Sequence, residues 1–302
     1  MVDFSVGVVG LDSMGAALSR RLDEQGIGNT PTDLNTRMLQ AHLAEGGSAP
    51  AGSPFDLAQV CDLVLIAETT NETLREAVLG PIGLAHALRP GTIIVDMSDA
   101  SPQTGPALAR ALYSKGAIWI EATPVGTAQN ACDGTLTLLT SGPADALERV
   151  APVLRAFAAK ILRLGELGSG PLVKALVSAL GVTSAAVYTE AMLVAKKGGL
   201  DPAGILAALP LLAPGMGTPP VSLATEVLTG RYRSGIPGNR VQGDFATVLD
   251  AARTTFVPVP IMSLVHAAMT SAGHSPRATG DHMDLARWMA EQAGIEFGGA
   301  RE

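Results

Sequence analysis

Aromatic side chains are scarce in this chain, 4% of its 302 residues, and only two of them are tryptophan. That scarcity argues against a stacking platform for single-stranded nucleic acid. Charge of one sign never accumulates. There is no basic run, and the net charge of -7 speaks against a phosphate-backbone partner. Cysteine is nearly missing: Cys61 and Cys132 stand far apart, without CxxC or metal-ligand spacing. The expectation is two unpaired thiols in a reducing compartment, with no disulfide framework and no metal site. The uncharged run Ala175 to Thr189, bounded by Lys174 and Glu190, is too short by itself to span a bilayer. Met1 to Gly10 reads as a strand and carries no basic region followed by a cleavable apolar stretch. A cytoplasmic protein with a small-molecule substrate, and neither nucleic acid nor membrane as partner, is expected.

Aliphatic residues are plentiful, since 47% of the chain is hydrophobic. Up to about residue 164 they come in short runs separated by helical patterns. Ser5-Val-Gly-Val-Val9, Asp62-Leu-Val-Leu-Ile66, Thr92-Ile-Ile-Val-Asp96, Ala117-Ile-Trp-Ile-Glu121 and Thr135 to Thr140 read as strands. Gly28 to Thr32 reads as a poor one, because of Gly28 and Pro31. Continuous apolar strands alternating with helices predict an α/β domain over 1–164, a doubly wound parallel sheet covered on both faces. Beyond it the strand pattern stops. Lys174 to Lys197 reads as one long helix, followed by helical stretches at Ala203–Leu209, Val221–Leu228, Asp244–Thr254, Ile261–Ala272 and Asp281–Ala293. An all-α domain over 165–302, joined to the first by the long helix, is expected.

The first strand runs into Gly7-Val-Val-Gly10-Leu11-Asp12-Ser13-Met14-Gly15 and then a helix. A turn of this kind sets backbone N–H groups and a helix N-terminus against a pyrophosphate. Asp33 follows at the spacing where a carboxylate accepts hydrogen bonds from an adenosine ribose. A dinucleotide site is expected from the combination. Asp12, however, stands where the pattern G-x-G-x-x-G has its second glycine. A carboxylate about 4 Å from a phosphate charge is repelled by roughly 4 kcal/mol before rotation and solvent relieve it. Either Asp12 swings aside and affinity falls moderately, or cofactor binding is badly damaged; the retained remainder of the pattern favours the first.

Several ordered blocks resemble the 3-hydroxyacid dehydrogenases, the group of 3-hydroxyisobutyrate dehydrogenase, tartronate semialdehyde reductase and the 6-phosphogluconate dehydrogenases. Gly10-Leu-Asp-Ser-Met-Gly15 resembles their G-L-G-x-M-G opening. Leu88-Arg-Pro-Gly-Thr-Ile-Ile-Val-Asp-Met-Ser98 matches a late segment, and Glu121-Ala-Thr-Pro-Val-Gly-Thr127 followed by Asp133-Gly-Thr-Leu136 resembles the substrate-contact block. Gly168-Ser-Gly-Pro-Leu-Val-Lys174-Ala-Leu-Val-Ser178 resembles the catalytic block G-x-G-x-x-x-K-x-x-x-N, and Gly243-Asp244-Phe245 stands where the family writes K-D-L. The resemblance implies a Rossmann domain, a helical domain forming most of a homodimer interface, and hydride transfer between a nicotinamide and a short 3-hydroxyacid or its semialdehyde. It implies cofactor contacts at Gly10 to Gly15, at Asp33-Leu34-Asn35 and at Asp244; Ala67-Glu68-Thr69 and Ser98, at strand ends where an α/β sheet presents ligands, are expected to line the same site, although Glu68 departs from the family's apolar residue and Ser98 reads equally as a cap. Asp33-Leu34-Asn35 resembles the NAD-preferring form, because a carboxylate repels a 2′-phosphate; Arg37 leaves NADP possible.

Lys174 is one of five lysines, set among Leu172, Val173, Ala175 and Leu176. An alcohol losing hydride must also give up its hydroxyl proton, and a lysine lining a cleft can take it. With the block match, Lys174 is the expected general acid/base. Ser178 lies one turn along the same helix face and replaces an asparagine that orients substrate in the family. Val125-Gly126-Thr127 departs from the family's Ser-Gly-Gly, so that Thr123 or Thr127 would supply the substrate hydroxyl contact. Asp12, Glu68 and Asp99 make the expected cofactor cleft acidic. Two other readings stay open: an imine reductase using NADPH, which Lys174 and Asp33 disfavour, and a cofactor-poor relative serving as a binding protein. The histidines His266, His274 and His282, the cluster Arg231-Tyr232-Arg233 and the tryptophans read as packing or solvated residues.

Overall fold

The computed structural model describes residues 4–212 and 220–298. By its internal contacts the chain divides into two compact units, Met1–Lys174 and Ala175–Glu302.

The first unit begins with β1 (Val6–Val9), α1 (Ser13–Glu24), β2 (Asn29–Thr32), α2 (Thr36–Ala44), α3 (Pro54–Val60) and β3 (Leu63–Ile66). It continues through α4 (Asn71–Leu79), β4 (Ile93–Asp96), α5 (Thr104–Leu112), β5 (Ile118–Val125), α6 (Ala128–Asp133), β6 (Leu136–Ser141), α7 (Ala144–Leu154) and β7 (Ala158–Gly165). The strands form one sheet in the order β2-β1-β3-β4-β5-β6-β7. Every residue of β1, β3 and β4 is buried, because helices cover both faces. One core face centres on Leu18, Leu22, Leu65, Ile120 and Phe157, the other on Leu57, Ile66, Leu74, Ile94 and Leu108. β2 accommodates Pro31 because it lies at the sheet edge, paired with β1 alone.

Two features depart from the expected parallel sheet. β6 runs antiparallel to β5, with Glu121 opposite Ser141 and Val125 opposite Thr137. The link between them, residues 126–135, holds only the six-residue α6 and cannot carry the long crossover that a parallel return needs. β7, unforeseen as a strand, then pairs parallel to β6. It is a mostly exposed edge strand carrying Lys160 and Arg163, so it lacks the apolar run that marks the others.

The long helix α8 (Ser169–Lys197) starts earlier than the sequence pattern indicated. Pro171 sits in its first turn, where a missing N–H interrupts no helical bond. By length and composition α8 could cross a membrane, although its uncharged run alone is shorter. The second unit continues with α9 (Ala203–Leu212), α10 (Gly238–Thr255), α11 (Pro260–Gly273) and α12 (Asp284–Gln292). The expected helices differ in extent or type, three of them instructively. Leu223–Val227 forms a single π turn with Leu223 and Val227 buried. α10 begins at Gly238 and passes through Gly243, a glycine that costs an interior helix only about 1 kcal/mol. α12 starts three residues late because Asp281 is engaged elsewhere, accepting from the amides of Gly235 and Met283. Ala175, Ala179, Val182 and Ala186 of α8 pack with Val241, Phe245 and Met269 to form part of this unit's core.

Candidate active site

The turn after β1 is shaped by two glycines. Gly10 takes φ +87°, and a Cβ there would fall 2.8 Å from the Ala67 carbonyl oxygen at the end of β3. At Gly15 a Cβ would come within 1.8 Å of the Gly10 carbonyl oxygen, so only glycine lets the first turn of α1 rest on the strand end. Leu11 is buried and Ser13 exposed. Between the glycines, Asp12 caps α1: its Oδ1 accepts from the Met14 amide at 3.0 Å and the Gly15 amide at 3.2 Å. The carboxylate is thus turned onto the helix N-terminus rather than swung aside, as the sequence reading favoured. The cause is local. These amides have no acceptor within the helix, and the partial positive charge there attracts an anion.

Asp33 follows β2. Its Oδ2 accepts from the Leu11 amide at 2.6 Å and its Oδ1 from the Asn35 amide at 2.6 Å. The carboxylate therefore locks the glycine turn to the end of β2, and each oxygen keeps lone-pair capacity for a ribose hydroxyl. Asn35 caps α2 through the Arg37 amide, and Leu34 packs on the core. Turn, helix N-terminus and Asp33 fit a dinucleotide, with one condition: phosphate oxygens reach the Met14 and Gly15 amides only when Asp12 leaves them.

The ends of β3 and β4 lie beside this turn. Ala67 is buried and donates its amide to the Val9 carbonyl at 2.8 Å. Glu68 is half-buried, and Thr69 exposed. Desolvation holds the Glu68 carboxyl above the usual carboxylate range; the Thr73 hydrogen bond opposes this, and the charges of Asp33 and Asp12 add to it. The Glu68 amide donates to Ser98 Oγ at 3.2 Å, and the Asp99 amide to the Glu68 carbonyl at 3.1 Å. Ser98 in turn donates its amide to Asp96 Oδ1 at 2.9 Å. Burial pushes Asp96 up to about 6 against its hydrogen bonds from Ser98. From this loop Asp99 Oδ1 accepts a 2.6 Å hydrogen bond from Lys174 Nζ.

Beside it, Glu121 on β5 is 1% exposed and accepts from Ser141 Oγ at 2.6 Å and from the Gly168 amide at 2.7 Å. Burial pushes its carboxyl up to about 7; the two hydrogen bonds oppose the rise, and the charge of Asp96 adds to it. Thr123 is buried, with Oγ1 against Gly170, where a Cβ would meet it at 2.8 Å. Thr127, the other candidate hydroxyl, is exposed and caps α6 in a reciprocal arrangement with Asn130. Val125 is exposed and Gly126 adopts φ +140°.

The contacts therefore link Gly10 to Gly15, Asp33, Ala67, Glu68, Ser98 and Lys174 along the C-terminal ends of β1 to β4, where open α/β sheets hold ligands. Ser178 and Asp244 belong to the second unit, half-buried on α8 and α10. Sequence reasoning did not single out Asp96, Glu121 or Asn71. Asn71 Oδ1 accepts from the Ser101 amide and the Thr104 hydroxyl, fixing the loop after β4. The available signal was a carboxylate closing each apolar run, in Ile93-Ile-Val-Asp96 and Ile118-Trp-Ile-Glu121.

Residues 5–165 match the family described as the NAD binding domain of 6-phosphogluconate dehydrogenase. Residues 168–289 match the family described as NAD-binding of NADP-dependent 3-hydroxyisobutyrate dehydrogenase. An L-threonate dehydrogenase from Cupriavidus necator is 30% identical over 274 residues, 89% of this chain and 92% of that protein. A 3-sulfolactaldehyde reductase from Escherichia coli is 25% identical over 96% of this chain and 97% of its own length. The crystal structure of a 3-hydroxyisobutyrate dehydrogenase from Salmonella typhimurium superimposes with a TM-score of 0.76 at 28% identity, covering 94% of this chain and 99% of the other.

Proposed function

The chain belongs to the NAD(P)-binding 3-hydroxyacid dehydrogenase family, and from that membership we propose an oxidoreductase for a short 3-hydroxyacid or the matching semialdehyde, with Lys174 as proton carrier and NAD as the preferred dinucleotide. The observation that supports it best is the Lys174 ammonium, held 2.6 Å from Asp99 on the loop after β4, whose backbone is bonded to Glu68 at the end of β3. Relatives named for L-threonate and 3-sulfolactaldehyde support the substrate class.

The bound dinucleotide supplies the acceptor or donor of a hydride. In oxidation the neutral Lys174 amine takes the hydroxyl proton as the carbonyl forms; in reduction its ammonium returns that proton to the oxygen. Asp33 would hold the adenosine ribose and disfavour a 2′-phosphate, which supports NAD. Gly10 and Gly15 would let the backbone approach the phosphates, and the Met14 and Gly15 amides would receive them once Asp12 moves. We also propose a cytoplasmic protein, whose two cysteines are unpaired, and a homodimer paired along α8, where Leu180, Val187 and Val194 are exposed.

The test is calorimetric titration with NADH and NADPH, then turnover assays with L-threonate, 3-hydroxyisobutyrate and the carbonyl compounds that their oxidation yields. Micromolar NADH binding with weaker NADPH binding, and hydroxyacid turnover lost in Lys174→Ala, is the expected result. Full turnover by Lys174→Ala would remove the lysine from the chemistry; absence of binding by either dinucleotide would remove the dehydrogenase.

A further inference from the structure

Lys174 and Asp99 are 75 residues apart in sequence, yet their contact is anchored at both ends. On the acid's side the backbone is fixed at three successive points. Ser98 donates to Asp96, Asp99 donates to the Glu68 carbonyl, and Ser101 donates to Asn71. On the lysine's side the start of α8 is fixed by the Gly168 amide on Glu121 and by the close approach of Gly170 to Thr123 and to the Leu139 carbonyl. The Lys174 side chain is 15% exposed, that of Asp99 41%. A lysine stem has four rotatable bonds, and a proton donor works only within about 3 Å of the reacting oxygen. A partner that holds the ammonium in one place removes that freedom before substrate arrives.

We propose that Asp99 is a positioning residue for the reaction, resting on the reading of Lys174 as proton carrier. Its carboxylate takes one of the three ammonium N–H groups and so directs the other two to the substrate oxygen. No bond to Asp99 changes during turnover: in reduction one of those two protons passes to the carbonyl oxygen, and in oxidation the same nitrogen, still held to Asp99 through one N–H, receives the hydroxyl proton of the substrate.

The test uses the full chain as Asp99→Asn and Asp99→Glu, with NAD and the hydroxyacid that turns over fastest in the screen above. In Asp99→Asn, kcat falls about tenfold or more while the hydroxyacid KM, NADH affinity and melting temperature hold. Asp99→Glu, which keeps the charge, recovers most of the loss. In the free protein, reductive methylation of Lys174 read by mass spectrometry runs several-fold faster in Asp99→Asn than in the wild type. An unchanged kcat, an unchanged methylation rate, or a kcat loss matched by lost melting temperature and NADH affinity overturns the proposal. Lys174→Ala run beside these separates the two ideas. If it is inactive while Asp99→Asn is fully active, positioning alone fails; if it is fully active, the proton-carrier reading fails.

Discussion

The Glu121 carboxylate accepts the Gly168 amide at 2.7 Å and the Ser141 hydroxyl at 2.6 Å through the same oxygen, Oε2, tying β5 and β6 to the turn that launches α8. Lys174, which we propose carries the proton, follows six residues later, so a buried acid underpins the start of the helix that bears it.

That acid makes stability pH-dependent in a definite direction. Its folded value of about 7 lies above the ordinary 4.5, so the folded chain binds the proton more tightly than the unfolded chain. Stability from this group is therefore full at low pH, falls as pH rises from about 4.5, and levels off above about 7. The shift sets an upper bound of about 3 kcal/mol. Glu121→Gln keeps an acceptor at the Oε2 position and removes the charge. It should unfold at a higher denaturant midpoint than wild type at pH 8, with the difference vanishing near pH 4. A Gln variant weaker than wild type at pH 8 would contradict the assignment.

Asp12 is expected to weaken cofactor binding. Its carboxylate occupies the Met14 and Gly15 amides, so binding phosphate there means displacing one anion by another. Asn caps a helix about as well as Asp, so Asp12→Asn should leave the melting temperature nearly unchanged and tighten NADH about tenfold, ~1.4 kcal/mol. The gain should shrink in high salt, where charge repulsion is screened. Calorimetry at two ionic strengths checks this; equal affinity of wild type and variant at low salt would show that Asp12 leaves without cost.

How much of this was readable in advance depends on whether a residue's role is local. Gly10, Gly15 and Asp33 announce themselves by spacing along one turn, and β1, β3 and β4 by uninterrupted apolar runs. The direction of β6 is not written in its residues, since alternation and apolarity are the same in either sense; it follows from the short link before it. β7 carries no apolar run because an exposed edge needs none. Asp12 is conspicuous in sequence, but its rotamer is decided by amides that only the folded helix presents. The Asp99–Lys174 pair joins residues 75 positions apart, and the burial of Asp96 and Glu121 depends on helices far from them in the chain. A carboxylate closing an apolar run looks the same in sequence whether it faces solvent or the core.

α8 carries a second apolar face that its own unit leaves open. Ala175, Ala179, Val182 and Ala186 are buried, whereas Val177, Leu180, Val187 and Val194 are 61%, 54%, 57% and 74% exposed. Leu180, Val187 and Val194 repeat every seven residues, so they stay on one side of the helix with a slow drift. An apolar stripe of this length on a chain with no such need in isolation supports pairing with a second copy, in which the same stripe meets itself across a two-fold axis. The paired change Leu180→Glu with Val187→Glu places like charges at the centre of that contact and leaves the buried face untouched. Light scattering at micromolar concentration should find the wild type as a dimer and the double variant as a monomer. A wild type that is monomeric there would refute the dimer, and a double variant that stays dimeric would move the interface off α8.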